Sequence, residues 1–279
     1  MPNFITQFLA LLLFQNYLNT LASASTNDSL SYSNLQKDCQ DLFFNVTIET
    51  TTNKNISLSN VSLQPQLNQF IQDAISTNVI ESAIVGSFNV SGTFTIGATL
   101  CDPKGQKPTT IEHLTHGIPH DRTYWDLLIG NLSWVDVALA YGYSTLAIDR
   151  LGVGQSEMPD GLNIVQTGVN IEIANSINNM LRAGQIGNRE FSKIINVGHS
   201  YGSYITNGLG VFHPSSADAF VLTGFGHAKG NTPALLMAWD SVPAHLSQTN
   251  PALRSAPSSH YAAPMGLNSL TQSYFHYPQ

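Results

Sequence analysis

Charge is scarce in this sequence. Charged residues make up 10% of its 279 residues, against about 25% in an average soluble domain, and Asn, Ser and Thr supply the polar surface instead. The net charge is −7, and no run of like charges forms a tail. Neither nucleic acid nor an anionic membrane is therefore expected as a partner. The sequence also lacks H-E-x-x-H and C-x-x-C motifs, so no metal or other cofactor is predicted.

Only two cysteines are present, Cys39 and Cys101. An even number in an exported chain favours one disulfide. The bridge would close a long loop and contribute roughly 3–4 kcal/mol in the loop-entropy model. The alternative is a pair of buried free thiols.

No apolar run reaches the roughly 20 residues that a membrane span requires. The longest near the start is Phe8 to Phe14, followed by an A-x-A cleavage motif at Ala22 to Ala24. We interpret residues 1–24 as a signal peptide, although no Lys or Arg precedes the apolar run. A membrane anchor is the alternative, and Gln15, Asn16 and Asn19 weigh against it. We therefore expect a secreted, extracellular protein with no stable membrane anchor.

Glycosylation motifs agree with export. Each N-x-S/T motif is short and weak evidence alone, but together they predict a glycoprotein. The six acceptors are Asn27, Asn45, Asn55, Asn60, Asn89 and Asn131.

The first part of the mature chain, residues 25–80, is polar, and within it only Phe43 to Thr50 alternates like a strand. Two further strand-like runs follow between Ile84 and Cys101, around a turn predicted at Ser91-Gly92. We predict antiparallel strands at the start of a sheet.

Strands and helices then alternate, which predicts an α/β fold with a mostly parallel central sheet and helices on both faces. The predicted strands are Thr109–Thr115, Ser144–Ile148, Lys193–Val197 and Ala219–Thr223. The predicted helices are Leu132–Tyr141, 166–183 and Gly202–Phe212, and the second carries Ile173, Ile177, Met180 and Leu181 on one stripe.

A G-x-S-x-G motif, Gly198 to Gly202, lies between an apolar strand and a helix. This setting is required for a nucleophile elbow, a tight turn that exposes a serine Oγ at the end of the sheet. Gly198 and Gly202 would make room for the turn. We predict that Ser200 is the nucleophile and has a strained backbone with φ > 0. The alternative is a strand-to-helix turn with an incidental serine.

Two more loops follow predicted strands. His116-Gly117 marks the loop that supplies one oxyanion donor in such a site, so the backbone N–H groups of Ile118 and Tyr201 are the predicted donors. The His116 side chain is expected to bond nearby loop backbone. The run from Asp149 to Ser156 lacks the full G-x-G-x-x-G spacing of a dinucleotide loop, and we interpret Asp149 and Arg150 as structural.

The wording of these segments (HGIPHDRTYWD, GYSTLAIDRLGVGQS, INVGHSYGS and DAFVLTGF) resembles the secreted α/β-hydrolases common in filamentous fungi. The resemblance runs from Cys101 to Phe225 and is looser beyond. It implies the α/β-hydrolase fold and a serine esterase or lipase-like activity on a small ester, with Ser200 as nucleophile and Tyr201 and Ile118 as oxyanion donors.

The sequence departs from this family after Phe225. A triad acid and then a histidine should follow further strands, but only one carboxylate and four histidines are present: Asp240, His227, His245, His260 and His276. We interpret residues 25–225 as the core and 226–279 as the start of a cap or lid, with an incomplete C-terminus and the last strands missing.

Two hypotheses remain open at this point. The chain is an active esterase whose base is one of these histidines, or it is an incomplete or non-catalytic homologue. From the sequence alone we predict that residues 25–279 show little or no esterase activity, because a serine without a base is a weak nucleophile. The sequence predicts no oligomeric state.

Overall fold

A mixed sheet of six strands organises the protein. The computed structural model describes residues 36–57, 61–127, 133–226, 241–247, 251–257 and 261–262. The predicted signal peptide and three of the predicted glycosylation sites, Asn27, Asn60 and Asn131, lie outside these residues.

The sheet has the order β1-β2-β4-β3-β5-β6. Its first two strands pair antiparallel, β2 also runs antiparallel to β4, and β4, β3, β5 and β6 are mutually parallel. The strands are β1 (Lys37–Ile56), β2 (Ile84–Pro103), β3 (Thr110–Thr115), β4 (Ser144–Ile148), β5 (Lys193–His199) and β6 (Ala219–Thr223).

Helices fill the connections. They are α1 (Gln64–Ser76), α2 (Val79–Ala83), α3 (Trp134–Ala140), α4 (Thr167–Arg182) and α5 (Tyr201–Phe212), with 3-10 turns at Arg122–Asp126, Ala244–Leu246 and Pro251–Ser255. Two short strands, β7 (Val242–Pro243) and β8 (Tyr261–Ala262), form a separate pair. None of the described helices has the length and apolar character that crossing a membrane requires.

A twenty-residue ribbon, β1 paired with β2, opens the sheet. Cys39 lies directly opposite Cys101 in this ribbon, and the two form the predicted disulfide. The turn predicted at Ser91-Gly92 is wrong, because β2 runs straight through both residues. The space that Gly92 leaves is filled by the ring of Phe94, 3.2 Å from where a Cβ would stand.

The strand predicted within residues 25–80 is shorter than the one in the structure. β1 extends well beyond Phe43–Thr50, and its strand period is broken by a register shift between Thr50 and Asn53. The helix α1 was not predicted, because its segment was interpreted as a polar stretch rich in Gln and Asn. Its apolar residues nevertheless lie on one side as clearly as those of α4, and Leu67 is the one of its described side chains that is buried.

The core lies between the β1–β2 ribbon and α4. The predicted stripe of α4 is buried at Ile173, Ile177 and Leu181, together with Val169, while Met180 is partly buried. A second cluster joins α4 to α5 through Ile171 and Leu209. A mostly parallel sheet with helices packed on it, and the strand order given above, is the α/β-hydrolase fold that the sequence predicts.

Candidate active site

Ser200 is the single residue between the end of β5 and the start of α5, and its backbone has φ 51° and ψ −114°. The predicted strained turn is therefore confirmed. A non-glycine residue in such a conformation costs of order 1–3 kcal/mol, which the surrounding structure must offset. Ser200 is partly exposed, so its side chain is within reach of solvent.

Three glycines allow the neighbouring loops to close on this turn. A Cβ on Gly198 would stand 2.4 Å from the Gly202 carbonyl oxygen, and one on Gly202 would stand 2.0 Å from the oxygen of Thr115. A Cβ on Gly117 would lie 2.9 Å from the Cβ of Ser200. The ends of β3 and β5 are therefore in direct backbone contact at Ser200.

The end of β6 holds the elbow through Thr223, a residue that sequence reasoning missed. The Ser200 N–H donates to the Thr223 carbonyl oxygen at 2.9 Å. Ser203 Oγ donates to the same oxygen at 2.8 Å and accepts from the Thr223 N–H at 3.1 Å. The Thr223 hydroxyl donates to the Gly198 carbonyl at 2.9 Å. Both sides of Ser200 are thus tied to one residue of the neighbouring strand.

His199 precedes the serine and is half-buried. Its Nδ1 lies 3.1 Å from Thr223 Oγ1; since that hydroxyl donates to Gly198, Nδ1 carries the proton and donates. The imidazole stacks on Tyr124, with centroids 4.6 Å apart, and His120 stacks on the same tyrosine at 4.9 Å. Burial lowers the pKa of His199, and burial followed by the nearby His199 lowers the pKa of His120. Both rings are thereby kept towards the neutral form.

The loop after β3 is fixed by His116. Its Nε2 accepts from the Arg150 backbone N–H at 3.1 Å, so Nδ1 carries the proton and donates to the Gly117 carbonyl at 2.8 Å. Burial holds the pKa of this imidazole well below its usual value. The expected contact of His116 with nearby loop backbone is confirmed. Ile118, a predicted oxyanion donor, follows in this loop and is joined to Pro119 by a cis peptide bond.

Asp149 and Arg150, both buried, tie the loop after β4 to its neighbours. The Asp149 carboxylate binds the guanidinium and backbone N–H of Arg122 and the backbone N–H of Gln155. The Arg150 guanidinium lies 4.8 Å from the ring centroid of Tyr201, and burial lowers its pKa to about 10. These contacts agree with the structural role expected for both residues.

Tyr201, the other predicted oxyanion donor, is the first residue of α5. The first N–H groups of a helix have no partner within the helix and carry its positive dipole end. The Tyr201 hydroxyl pairs with Thr167 Oγ1 at 2.9 Å, which fixes its ring beneath the elbow loop. The structure thus joins Ser200, Tyr201 and the His116-Gly117 loop at the ends of β3 and β5.

Within the described residues, the structure assigns no base to Ser200. Four of the sequence candidates, His227, Asp240, His260 and His276, lie outside those residues. His245 lies in a 3-10 turn, and its buried Nδ1 has no hydrogen-bond partner in the described structure.

One histidine–carboxylate pair does occur near α5. His213 Nε2 lies 2.9 Å from Glu172 Oε1, but His213 caps the C-terminal end of α5, about 20 Å along the helix from Ser200. It is therefore no partner for the serine. Among the described residues, no group of three His, Cys, Asp or Glu side chains is placed to hold a metal ion.

No protein-family model matches the chain, and none of the curated proteins compared with it matches. Several solved structures are similar, among them an epoxide hydrolase of Vigna radiata, with 19% identity and a TM-score of 0.36, covering 46% of this chain and 36% of that one. Another is an epoxide hydrolase from an endophytic Streptomyces, with 23% identity, a TM-score of 0.36, and coverage of 46% and 33%. Epoxide hydrolase A from Mycobacterium thermoresistibile has 19% identity and a TM-score of 0.36, and the match covers 46% of this chain and 35% of that one.

The matched segment spans about a third of each of these proteins. Epoxide hydrolases are α/β-hydrolase fold proteins. Their activity is a property of those proteins, and the function of this chain rests on its own residues.

Proposed function

We propose that this chain is a secreted serine hydrolase that cleaves carboxylic esters through attack by Ser200. The observation that carries the proposal is the φ of 51° at Ser200. Glycine adopts this conformation without strain, whereas serine adopts it at a cost. A side chain kept at this position in spite of the strain is best explained by chemistry that needs its hydroxyl.

In the proposed reaction, Ser200 Oγ attacks the ester carbonyl carbon and gives its proton to a histidine base. The carbonyl oxygen becomes an oxyanion, which accepts hydrogen bonds from the N–H groups of Tyr201 and Ile118. The protonated base returns the proton to the leaving alcohol, and an acyl group stays on Ser200. Water, activated by the same base, then releases the carboxylic acid, so the cycle consumes only ester and water.

Three features support export. Asn45, Asn55 and Asn89, the acceptors within the described residues, are all exposed. The disulfide is typical of oxidising compartments. The first 24 residues have the pattern of a cleaved signal. Intact-mass measurement of protein from culture medium, before and after glycosidase treatment, tests both processing and glycans; an unprocessed, unmodified chain would contradict this part of the proposal.

The test of catalysis is expression of the full chain in a eukaryotic host, followed by p-nitrophenyl ester hydrolysis and labelling with a fluorophosphonate probe. Ser200→Ala should abolish both, since loss of a triad serine costs roughly 10⁶-fold in the best-studied protease. Ser176→Ala changes a partly buried serine on α4; it is the matched control and should change neither. Wild-type protein that labels no better than Ser200→Ala would mean a non-catalytic homologue.

The base can be sought in the same assay. Replacing His227, His245, His260 and His276 by Gln, one at a time, should identify one variant that stays folded and loses turnover. Retention of activity by all four would show that the base lies elsewhere in the chain.

A further inference from the structure

We propose that Arg150 is a positioning residue of the oxyanion hole, which helps to fix the peptide between Gly117 and Ile118 and holds a buried positive charge beside it. This inference rests on the proposed function. It assigns a catalytic consequence to a side chain whose sequence pattern indicated only a structural role.

The first line of evidence is the set of donors on the Gly117 carbonyl. Arg150 Nη2 reaches this oxygen at 3.4 Å, His116 Nδ1 at 2.8 Å, and the His120 backbone N–H at 3.2 Å. Arg150 Nε also donates to the His116 carbonyl at 3.1 Å. Two successive carbonyl groups of the loop are therefore turned towards the guanidinium.

The orientation of the carbonyl determines that of the next N–H. In a trans peptide the C=O and the following N–H point in opposite directions, and of the bonds in this loop only Ile118-Pro119 is cis among the described residues. With the Gly117 carbonyl turned to Arg150, the Ile118 N–H points away from it, in a loop whose Gly117 touches Ser200. Arg150, together with His116 Nδ1 and the His120 N–H, thus fixes the direction of the predicted donor.

The second line of evidence is charge. Arg150 is 5% exposed, yet no carboxylate in the described part of the chain forms an ion pair with it, because the neighbouring Asp149 is bound by Arg122. Two other arginines with little-exposed side chains each form an ion pair with a buried carboxylate, Arg122 with Asp149 and Arg189 with Asp102. The charge of Asp149 also favours the protonated form of Arg150, but one carboxylate shared with Arg122 neutralises the two arginines only in part. Negative charge that develops nearby in a low-dielectric site would therefore be stabilised by Arg150.

The hydrogen bonds and the charge of Arg150 both bear on the two proposed oxyanion donors, Ile118 and Tyr201. The guanidinium binds the carbonyl that precedes Ile118, and its flat face covers the ring of Tyr201, whose N–H is the other donor. An interaction aimed at the oxyanion should act on the transition state and leave the bound substrate almost unaffected.

Kinetics of Arg150→Gln and Arg150→Lys test the inference. Arg150→Gln removes the charge, and we expect kcat to fall by about 10²–10³-fold, as when one oxyanion donor is lost, with KM within about twofold. Arg150→Lys keeps the charge without the planar fork and should retain more activity than Arg150→Gln. Unchanged kcat in both variants, with Ser200→Ala inactive, would overturn the inference and leave the proposed function intact.

A trifluoromethyl ketone supplies a readout that a merely structural role would not move. Its carbonyl carbon bonds to Ser200 Oγ, the hydroxyl proton passes to the base, and the carbonyl oxygen becomes an oxyanion in the proposed hole. Its inhibition constant should rise by the same factor as kcat/KM falls, while the affinity for the product alcohol stays constant. Parallel loss of affinity for both ligands would indicate general damage and contradict the inference.

Arg189→Lys is the matched control. Arg189 also lies over an aromatic ring, Phe191, at 4.6 Å, and it binds Ser144 at the start of β4, at the opposite end of the sheet. This variant should lower the melting temperature and leave kcat and the ketone affinity of the folded protein unchanged. An equal effect of both substitutions on catalysis would count against a special role for Arg150.

A last measurement separates this inference from the proposed function. If wild-type protein neither turns over esters nor reacts with the probe, the function fails, but hydrogen exchange of the segment 116–124 still reports on the loop. Arg150→Gln should speed exchange there and leave α4 unchanged. If Arg150→Gln exchanged at the wild-type rate in that segment, the positioning role would be overturned, whatever the activity.

Discussion

At the scale of single residues, the strain at Ser200 is offset by contacts with Thr223. The carbonyl, N–H and hydroxyl of Thr223 all bind the elbow, and the hydroxyl bridges the Gly198 carbonyl and His199 Nδ1. The strained turn at Ser200, its flanking glycines and the His116 loop could be predicted from the sequence, because each belongs to a local motif. Thr223, Tyr124 and the guanidinium contacts of Arg150 could not, since they act across strands that are distant in the chain.

Removing the Thr223 hydroxyl should loosen the elbow. Thr223→Val keeps the branched shape but leaves two polar partners without a bond, and we expect about 1–2 kcal/mol of lost stability and slower probe labelling of Ser200. Thr223→Ser keeps the hydroxyl and should label at close to the wild-type rate. Chemical denaturation and labelling kinetics measure the two effects; equal labelling of the Val and Ser variants would show that the hydroxyl is unimportant.

Gly202 and Gly210 form a matched pair in α5. Ala at 202 would place its Cβ 2.0 Å from the Thr115 oxygen, and overpacking of this kind costs about 3 kcal/mol. Ala at 210 would meet only ordinary contacts, the nearest 3.7 Å away on Phe220, and should stabilise the helix by about 0.5–1 kcal/mol. Urea denaturation of both variants decides the matter, and similar effects at the two sites would mean that the contact of β3 with the elbow is less tight than described.

At the scale of elements, the β1–β2 ribbon shows where strand patterns mislead. Ser91-Gly92 has the residue types of a turn, but the paired register continues past both and places them opposite Glu49 and Ile48. A pairing of twenty residues with twenty is a property of two segments, which neither displays alone. The short parallel strands β4, β5 and β6 were predicted closely because each is a brief run of β-branched or apolar residues between turns.

The disulfide should contribute strongly to the stability of this ribbon. Cys39 and Cys101 are 62 residues apart, and closing a loop of that length is worth roughly 4 kcal/mol in the loop-entropy model. The double variant Cys39→Ala/Cys101→Ala should stay folded, because the strand register and α4 remain, but unfold at lower urea concentration. Reductant should shift the wild-type midpoint and leave the variant unaffected; an unshifted wild type would contradict the expectation.

At the scale of the whole molecule, buried imidazoles make the fold sensitive to acid. His113, on β3, is fully buried, its Nδ1 lies 2.9 Å from Asn178 Oδ1 and 3.0 Å from Asn196 Nδ2, and burial lowers its pKa to about 4. Asn178 in turn binds Asn196 and Ser216, so the groups around the ring are neutral. The imidazole is therefore neutral when folded and gains a proton more readily when unfolded.

The sign of the pH dependence follows. The pKa of His113 is near 6.5 in the unfolded chain and lower in the folded protein. The contribution of the neutral ring to the unfolding free energy is therefore fully present above pH 6.5 and is lost as the pH falls towards 4. The difference corresponds to about 3 kcal/mol of unfolding free energy. Denaturation at several pH values should show that the unfolding free energy of the wild type falls as the pH falls. The fall should be shallower in His113→Gln, which has one buried histidine fewer. Equal slopes for the two proteins would argue against a neutral His113.

The hydrogen bonds between Thr223 and the elbow also determine when, during synthesis, the Ser200 turn can reach its final structure. Ser200 leaves the ribosome before Thr223, so its N–H has no strand carbonyl to bind until β6 has been made and has joined β5. Until then the serine lacks its hydrogen bonds to β6, and its left-handed conformation rests on the contacts of the flanking glycines with β3 and its loop. Under the proposed function, a probe that labels Ser200 therefore reports on folding, because labelling requires both that β6 has joined the sheet and that the histidine base has reached the serine.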